Sequence, residues 1–144
     1  MLPSISRREL SYLLVIINLN NNGDKVTISK VAKNMGVSPP SAYEEINHLE
    51  KKSLVEKDID DIKVTEKGRR AVSLLLSSHR IIETWLKNLG FTEEEACNLA
   101  SQFDEYVPIQ VIEKLFENLG KPSKCPHGFP IESPNQSEAM EARN

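Results

Sequence analysis

The seven residues GVSPPSA, Gly36–Ala42, constrain the fold more than any other stretch of the chain. A glycine suits the left-handed residue that ends one helix. Serine followed by proline suits the start of the next helix, because the amide hydrogens of the first turn make no hydrogen bonds within the helix, so proline loses none. We therefore expect Ser38 to cap a helix whose start the two prolines stiffen. Before the glycine, Ile28–Met35 has apolar residues at helical spacing behind Thr27, a typical capping residue. The stretch predicts two helices joined by a tight turn.

Further elements flank this pair of helices in an informative order. A largely apolar helix is predicted from about Ser6 to Asn20. After the pair, two β-rich stretches, Leu54–Lys57 and Ile62–Thr65, enclose an acidic turn. Helix, helix, turn, helix and hairpin is the order of a winged helix-turn-helix, so we predict a DNA-binding domain here.

Three more helices follow the hairpin. Thr65 is a capping residue for a long helix to about Leu89, the sequence TEEE from Thr92 is a capping box for a helix to about Tyr106, and Pro108 opens a third. Their apolar surface exceeds what three helices bury among themselves, so we expect a homodimer interface or packing against the first helix. The predicted fold is mainly α, with a winged helix-turn-helix domain over residues 1–70, an all-helical dimerisation domain over 71–132 and a disordered tail over 133–144.

Charge is distributed unevenly along the chain. Residues 1–90 contain 14 Lys and Arg against 11 Asp and Glu, a net charge of +3, whereas residues 91–144 contain 4 against 10, a net charge of −6. The first part can therefore face phosphate. The second part suits solvent, a metal ion or a partner.

Several classes of protein are disfavoured by what the sequence lacks. No apolar run approaches the roughly 20 residues of a membrane span, and no apolar segment follows a basic one at the start, as in a secretory signal. Cys97 and Cys125 are too few for a disulfide framework, so we expect reduced thiols in the cytoplasm. The residue patterns of common hydrolases are absent, which argues against an enzyme.

Candidate metal ligands occupy two of the predicted helices. His79 and Glu83 are four residues apart and share one helix face. The next helix carries four such side chains at i, i+4, i+7 and i+8, again on one face: Cys97, Ser101, Asp104 and Glu105. Nitrogen, thiolate and carboxylate donors suit Fe²⁺, Zn²⁺ or Co²⁺ better than Mg²⁺ or Ca²⁺. The structural alternative is a surface His–Glu pair, a small core cysteine and a solvated acidic face.

Cys125 and His127 are also of residue types that bind metals, but one cysteine and one histidine supply only two of the ligands of a four-coordinate site. We interpret their segment, CPHGFPI, as a stiff turn that docks Phe129 and Ile131 on the core. The alternative is that the pair adds ligands to the helix-pair site.

Three segments together resemble a known family: LSSHRIIETWL, CNLASQFDEYV and CPHGFPI. Their order and spacing are similar to those of the diphtheria-toxin-repressor family of metal-dependent transcription regulators, in its two-domain form, over about Arg7 to Ile131. The resemblance implies a homodimeric repressor whose affinity for a double-stranded DNA operator rises when a divalent metal binds. Fe²⁺ is the favoured ion, with Mn²⁺ or Zn²⁺ as alternatives.

At the family's ligand positions, this chain has the usual residue in some cases and a different residue in others. His79 stands at the long-helix ligand position and Glu83 at a second-site position. Asp104 stands where the family has a glutamate ligand, and Glu105 where it usually has a histidine. Ser101 replaces a cysteine or glutamate.

Other family positions depart from the pattern. Cys97 stands where a second-site ligand is a histidine. Ser11 and Leu14 occupy positions on the first helix that usually bear Met, Asp or Glu. A winged-helix regulator that has lost metal control, and is constitutive or controlled by another partner, is therefore the alternative function.

The third helix carries the family positions that contact DNA. Ser38 and Ser41 can bind phosphate through hydroxyls or amides at the helix start, and Pro40 or Tyr43 can pack on a thymine methyl. Glu44, where the family often has glutamine, can accept a hydrogen bond from cytosine N4. Further phosphate contacts are expected from surrounding basic residues, each of which could instead be a solvated side chain: Lys30, Lys33, Lys51, Lys52, Lys57, Lys63, Lys67, Arg69 and Arg70. The acidic wing tip argues against deep insertion into the minor groove.

Overall fold

The computed structural model describes residues 4–134. These residues form two compact units, one spanning Ile5–Val72 and the other beginning at Ser73. Most of the predicted tail, residues 135–144, lies outside the described residues. The elements in chain order are α1 (Arg7–Asn21), α2 (Ile28–Met35), α3 (Pro39–Lys51), β1 (Val55–Lys57), β2 (Ile62–Val64), α4 (Glu66–Asn88), α5 (Glu93–Phe103), a 3₁₀ turn (Asp104–Tyr106) and α6 (Ile109–Asn118).

The helix ends in the first unit follow the predicted capping residues. The Thr27 side chain accepts a hydrogen bond from the amide of Lys30 at the start of α2. Gly36 ends that helix with φ of 69°, in the left-handed region that favours glycine. Ser38 caps α3, and Pro39 and Pro40 occupy its first two positions. The prediction of a tight turn between two helices is confirmed.

A two-stranded antiparallel hairpin forms the wing of the first unit. Its register pairs Val55 with Val64 and Lys57 with Ile62. Asn20, at the end of α1, donates from Nδ2 to the carbonyl of Ile62 at 2.8 Å and accepts from the amide of Val64 at 3.3 Å. One asparagine therefore satisfies two backbone groups on the outer edge of β2 and anchors the wing to α1.

Gly68 allows α4 to begin close against the wing. A Cβ atom at this position would lie 2.3 Å from the carbonyl oxygen of Leu54 and 2.7 Å from a methyl carbon of Val64. Only a residue without a side chain fits this approach.

The second unit contains most of α4, then α5, the 3₁₀ turn and α6, followed by the CPHGFPI turn. Its core is formed by apolar residues of these elements, including Ile82, Ala100 and Ile112, and Ile131 docks on that core as predicted. The predicted docking of Phe129 is wrong, because its side chain is 57% exposed. It lies instead against the guanidinium of Arg80, which also donates to the carbonyl of Pro130 at 2.8 Å. Among the described residues, no helix has the length and hydrophobicity needed to cross a bilayer.

Candidate metal centre and nucleic-acid interface

His79, on α4, is contacted from both sides of its ring. Its Nδ1 lies 3.0 Å from Oδ2 of Asp104, and its Nε2 lies 3.2 Å from Oε2 of Glu83 and 3.6 Å from Sγ of Cys97. A carboxylate that accepts the Nδ1–H bond leaves the Nε2 lone pair facing the other two donors. Histidine ligands of metals are usually oriented by such an outer carboxylate.

His79, Glu83 and Cys97, here called the α4–α5 group, offer ligand atoms that all lie within 4.8 Å of one another. The surroundings are largely dry: Glu83 and Asp104 are each only 2% exposed, and the side chain of His79 is 13% exposed. Buried carboxylates are costly unless a cation or hydrogen bonds compensate them. The donor set and its burial therefore fit a divalent transition metal.

Glu83 also belongs to a second group, with Cys125 and His127, here called the Cys125 group. The Nδ1 atom of His127 lies 2.5 Å from Oε1 of Glu83, so the two carboxylate oxygens serve different groups. Cys125 is buried. The structure thus brings the Cys–Pro–His segment to the helix-pair ligands. Sequence reasoning raised this arrangement only as an alternative, because Cys125 and His127 lie far from Glu83 in the sequence and share no local spacing with it.

Two other predicted ligands make different contacts. The hydroxyl of Ser101 donates to the carbonyl of Cys97 at 3.0 Å. Glu105 accepts a hydrogen bond from the phenol of Tyr106, which raises the pKa of that phenol. Neither residue belongs to the α4–α5 group.

A third set, Glu9, Glu45 and His48, lies in the first unit and is here called the α1–α3 group. It differs because Lys52 places its ammonium 2.8 Å and 3.1 Å from the two oxygens of Glu9. Burial raises the pKa of Glu9, but hydrogen bonds from Lys52 and the Ser6 amide, with the charge of Lys52, lower it overall. The protein supplies its own cation here, so we do not assign a metal to this group.

The start of α3 has few amide hydrogens to offer phosphate. Pro39 and Pro40 have none, and the amide of Ser41 donates to Oγ of Ser38 at 3.3 Å. Ser38 in turn donates its hydroxyl to Oγ of Ser41 at 2.9 Å. The hydroxyl hydrogen of Ser41 therefore remains for an outside acceptor.

The outward face of α3 presents the other predicted DNA contacts. Pro40, Tyr43 and Glu44 are exposed. Lys33, Lys51 and Arg69 are exposed too, and they make no ion pair within residues 4–134.

The remaining predicted phosphate contacts are partly engaged. Lys30 donates to the carbonyl of Lys25, and Lys63 lies 3.8 Å from Asp61. Lys67 is exposed. Arg70 has Nε and Nη1 buried without a hydrogen-bond partner among the described residues. Lys52 contacts Glu9, and Lys57 contacts three residues of α3.

The acidic wing tip is partly neutralised by neighbouring groups. Asp60 lies 3.8 Å from the ammonium of Lys25, and Asp61 accepts a hydrogen bond from the amide of Val26. Ile59, between the acids, is fully exposed.

The first-helix positions of the predicted family pattern hold no charged donor. Ser11 donates its hydroxyl to the carbonyl of Arg7 at 3.1 Å, and Leu14 is 39% exposed.

Comparisons with known proteins identify two successive domains of one family. The family model of the iron dependent repressor N-terminal DNA-binding domain matches residues 5–60, and that of the iron dependent repressor metal-binding and dimerisation domain matches residues 65–133. An uncharacterized HTH-type transcriptional regulator from Aeropyrum pernix is 30% identical over 139 residues, which cover 94% of this chain and 77% of that protein.

Solved structures with the same fold are also similar in sequence. A hypothetical protein from Sulfolobus solfataricus has 44% identity and a TM-score of 0.87, over 89% of this chain and 99% of that one. ScaR with bound Zn²⁺ has 33% identity and a TM-score of 0.75 over 88% of this chain, which spans only 60% of the ScaR chain.

Proposed function

Because the chain belongs to the iron-dependent, diphtheria-toxin-repressor family of metal-dependent transcriptional regulators, we propose that it binds operator DNA as a homodimer under the control of a metal held by His79, Glu83 and Cys97. This family consists of regulators and not of enzymes. The observation that carries the proposal is the orientation of His79, whose Nε2 faces the other two donors while Asp104 holds its Nδ1. Such preorientation favours a metal ligand over a surface ion pair.

The donor chemistry favours particular ions. A thiolate and an imidazole suit Fe²⁺ or Zn²⁺ better than Mn²⁺, which prefers oxygen donors. We assign Asp104 as the outer partner of His79 and not as a direct ligand, because its carboxylate accepts from the nitrogen that faces away from Glu83. When bound, the metal supplies positive charge that compensates the buried Glu83.

The Cys125 group extends this site. Since Glu83 turns one oxygen to His79 and the other to His127, the same carboxylate serves both groups. Cys125 and His127 therefore supply further donors next to the α4–α5 group. The reduced thiols that this chemistry requires are consistent with a cytoplasmic regulator.

The homodimer is supported by apolar side chains that the second unit leaves in solvent. Within residues 73–134, six of them are large and exposed: Leu89, Phe91, Phe103, Tyr106, Val111 and Phe129. Sedimentation equilibrium should give a particle of twice the 16.2 kDa of one chain. A monomer at micromolar concentration would contradict the homodimer.

DNA binding is assigned to α3 and the basic residues around it. Pro40, Tyr43 and Glu44 face base edges, and Ser41 donates its hydroxyl to phosphate. Phosphate contacts come from the exposed basic side chains, which are Lys30, Lys33, Lys51, Lys63 and Arg69. Affinity should therefore fall steeply with salt.

Cobalt substitution tests the metal site directly. Chelator-stripped protein loaded with Co²⁺ without oxygen should show thiolate-to-cobalt charge-transfer absorption. Cys97→Ser should reduce the absorption and the double variant with Cys125→Ser should abolish it, whereas the matched control Ser101→Ala should keep it. Absence of the band in the wild type, or its persistence in the double variant, would contradict the assignment.

A regulator without metal control is the second candidate. It is favoured by Ser11 and Leu14, which give the first helix no charged ligand. Wild-type DNA affinity in a His79→Ala variant would support this candidate against metal control.

A further inference from the structure

Lys57, the last residue of β1, reaches across to the outward face of α3. Its ammonium lies 5.3 Å from the centre of the Tyr43 ring and 3.6 Å from Oε1 of Glu50, and it donates a hydrogen bond to Oδ1 of Asn47. These three residues stand at i, i+4 and i+7, so they form one stripe of the helix. The side chain of Lys57 is 26% exposed. A single wing residue therefore contacts three successive turns of the helix.

This arrangement differs from that of an ordinary phosphate-binding lysine. An ammonium has three hydrogens to donate and no lone pair. One hydrogen is given to Asn47, and the charge faces both Glu50 and the π-face of Tyr43. Lys57 is thus held against α3 by three groups, whereas Lys63 on the neighbouring strand is 64% exposed.

The contact determines which way the Asn47 amide points. Because an ammonium can only donate, the amide atom that faces it must be the oxygen. The Nδ2 group then retains both of its hydrogens, and no partner for them is found among the described residues. Asn47 is thus presented as a donor of hydrogen bonds.

The orientation of the Asn47 amide determines which bases it can hydrogen-bond. An asparagine that reads adenine donates to N7 and accepts from the N6 amino group, so it uses both ends of its amide. Here Lys57 already donates to Oδ1. The oxygen has a second lone pair, but an adenine amino group that used it would place its positive hydrogens beside the Lys57 ammonium, which repels them. Adenine therefore keeps only N7 for the Nδ2 hydrogens and carries the repelled amino group beside it, whereas guanine offers two acceptors, N7 and O6, and thymine offers O4 with no amino group.

We propose that Lys57 is a positioning residue for operator recognition, which makes Asn47 prefer guanine or thymine to adenine at the base it contacts. This inference rests on the proposed DNA-binding function of α3. It assigns Lys57 a role in sequence preference and not in phosphate binding. Tyr43, held under the same ammonium, keeps its ring in place beside Asn47.

Selection from a random duplex pool tests the proposal. Metal-loaded wild type should enrich guanine or thymine over adenine about fivefold or more at one position per half-site, the range of a specific side-chain contact. Lys57→Met, which keeps the length of the side chain, should lose the discrimination against adenine at that position alone. Its salt dependence should equal that of the wild type.

Two matched variants complete the test. Asn47→Ala should lose the same preference with Lys57 still present, which keeps the test valid if Lys57→Met does not fold. Lys63→Met should keep the preference, weaken all duplexes alike and reduce the salt slope by about 1.

The outcomes separate the two levels of inference. If Lys57→Met weakens every duplex equally and reduces the salt slope, or if Asn47→Ala leaves the selected sequence unchanged, the role of Lys57 is refuted and DNA binding stands. A wild type that selects no sequence would refute the proposed function, and this inference with it.

Discussion

The α1–α3 group and the α4–α5 group show two ways of compensating buried carboxylates. Each combines a histidine with an acid that is almost fully buried, Glu9 at 6% and Glu83 at 2% exposure. In the first, Lys52 supplies a positive charge 2.8 Å from the carboxylate. In the second, Glu83 lies beside His79 and Cys97, and also contacts His127 of the Cys125 group; these side chains bind metals well when deprotonated.

The difference teaches that ligand types alone do not define a metal site. Both groups hold three donors within the same 4.8 Å limit. Only the α4–α5 group combines a soft donor, Cys97, with a histidine oriented by an outer carboxylate. The α1–α3 group joins the first turn of α1 to α3, and Lys52 already balances the charge of its buried Glu9.

Loss of a direct ligand should separate the two groups most strongly. His79→Ala should weaken Zn²⁺ binding more than the roughly 100-fold that loss of an outer partner costs. The matched change His48→Ala removes the histidine of the α1–α3 group and should leave Zn²⁺ affinity unchanged. Competition with a chromophoric chelator measures both, and equal losses would contradict the distinction.

The outer partner should matter less than the ligands. Asp104→Asn keeps a hydrogen-bond acceptor for Nδ1 of His79 but removes the charge, so Zn²⁺ affinity should fall about 10-fold, at the lower end of the effects of such partners. The same competition assay applies. A loss as large as that of His79→Ala would instead make Asp104 a direct ligand.

Removing the ammonium of Lys52, which contacts Glu9 of the α1–α3 group, should lower the stability of the fold and leave metal binding unchanged. Lys52→Met leaves Glu9 without its charged hydrogen bonds, and we expect a loss of about 2 kcal/mol in the free energy of unfolding. Urea denaturation measures this loss. New Zn²⁺ binding in the variant, with Glu9 and His48 as ligands, would show that only the lysine distinguishes the two groups.

The smallest expected effect is the pH dependence of the stability that the Lys52–Glu9 contact contributes. Since the pKa of Glu9 is lowered from 4.5 in the folded chain, its stabilisation is present above about pH 4.5 and is lost as pH falls through the lower, folded value. The difference in Tm between wild type and Lys52→Met should therefore shrink from pH 6 to pH 3. A difference that stays constant would mean that Lys52 stabilises the fold without acting through the charge of Glu9.

Local signals in the sequence were sufficient for most of the fold. Thr27, Ser38 and Thr92 cap helices as expected, because a cap depends on residues three positions away. The contacts that complete the sites depend on tertiary structure. Glu83 meets His127 across 44 residues, and no periodicity predicts that meeting.

Two other features of the sites had no sequence signal. Phe129 lies against Arg80, which is far away in the sequence on α4, and no local pattern predicts this contact. The sequence predicts Lys57 as a phosphate contact or a solvated side chain, since a basic residue on a wing does not reveal which helix residues its ammonium contacts. The ligand types of the metal site were readable from the sequence, whereas the oriented histidine and the shared Glu83 were not.

The central claim is tested most directly by DNA affinity measured with and without metal. A duplex selected from a random pool by metal-loaded protein is titrated by fluorescence anisotropy, using chelator-stripped protein and the same protein with Fe²⁺ or Zn²⁺ in the absence of oxygen. We expect the metal to raise affinity at least about fivefold, the lower range of coupling between two sites, and His79→Ala to show no gain. Equal affinity for the duplex in stripped and fully loaded protein would contradict metal control.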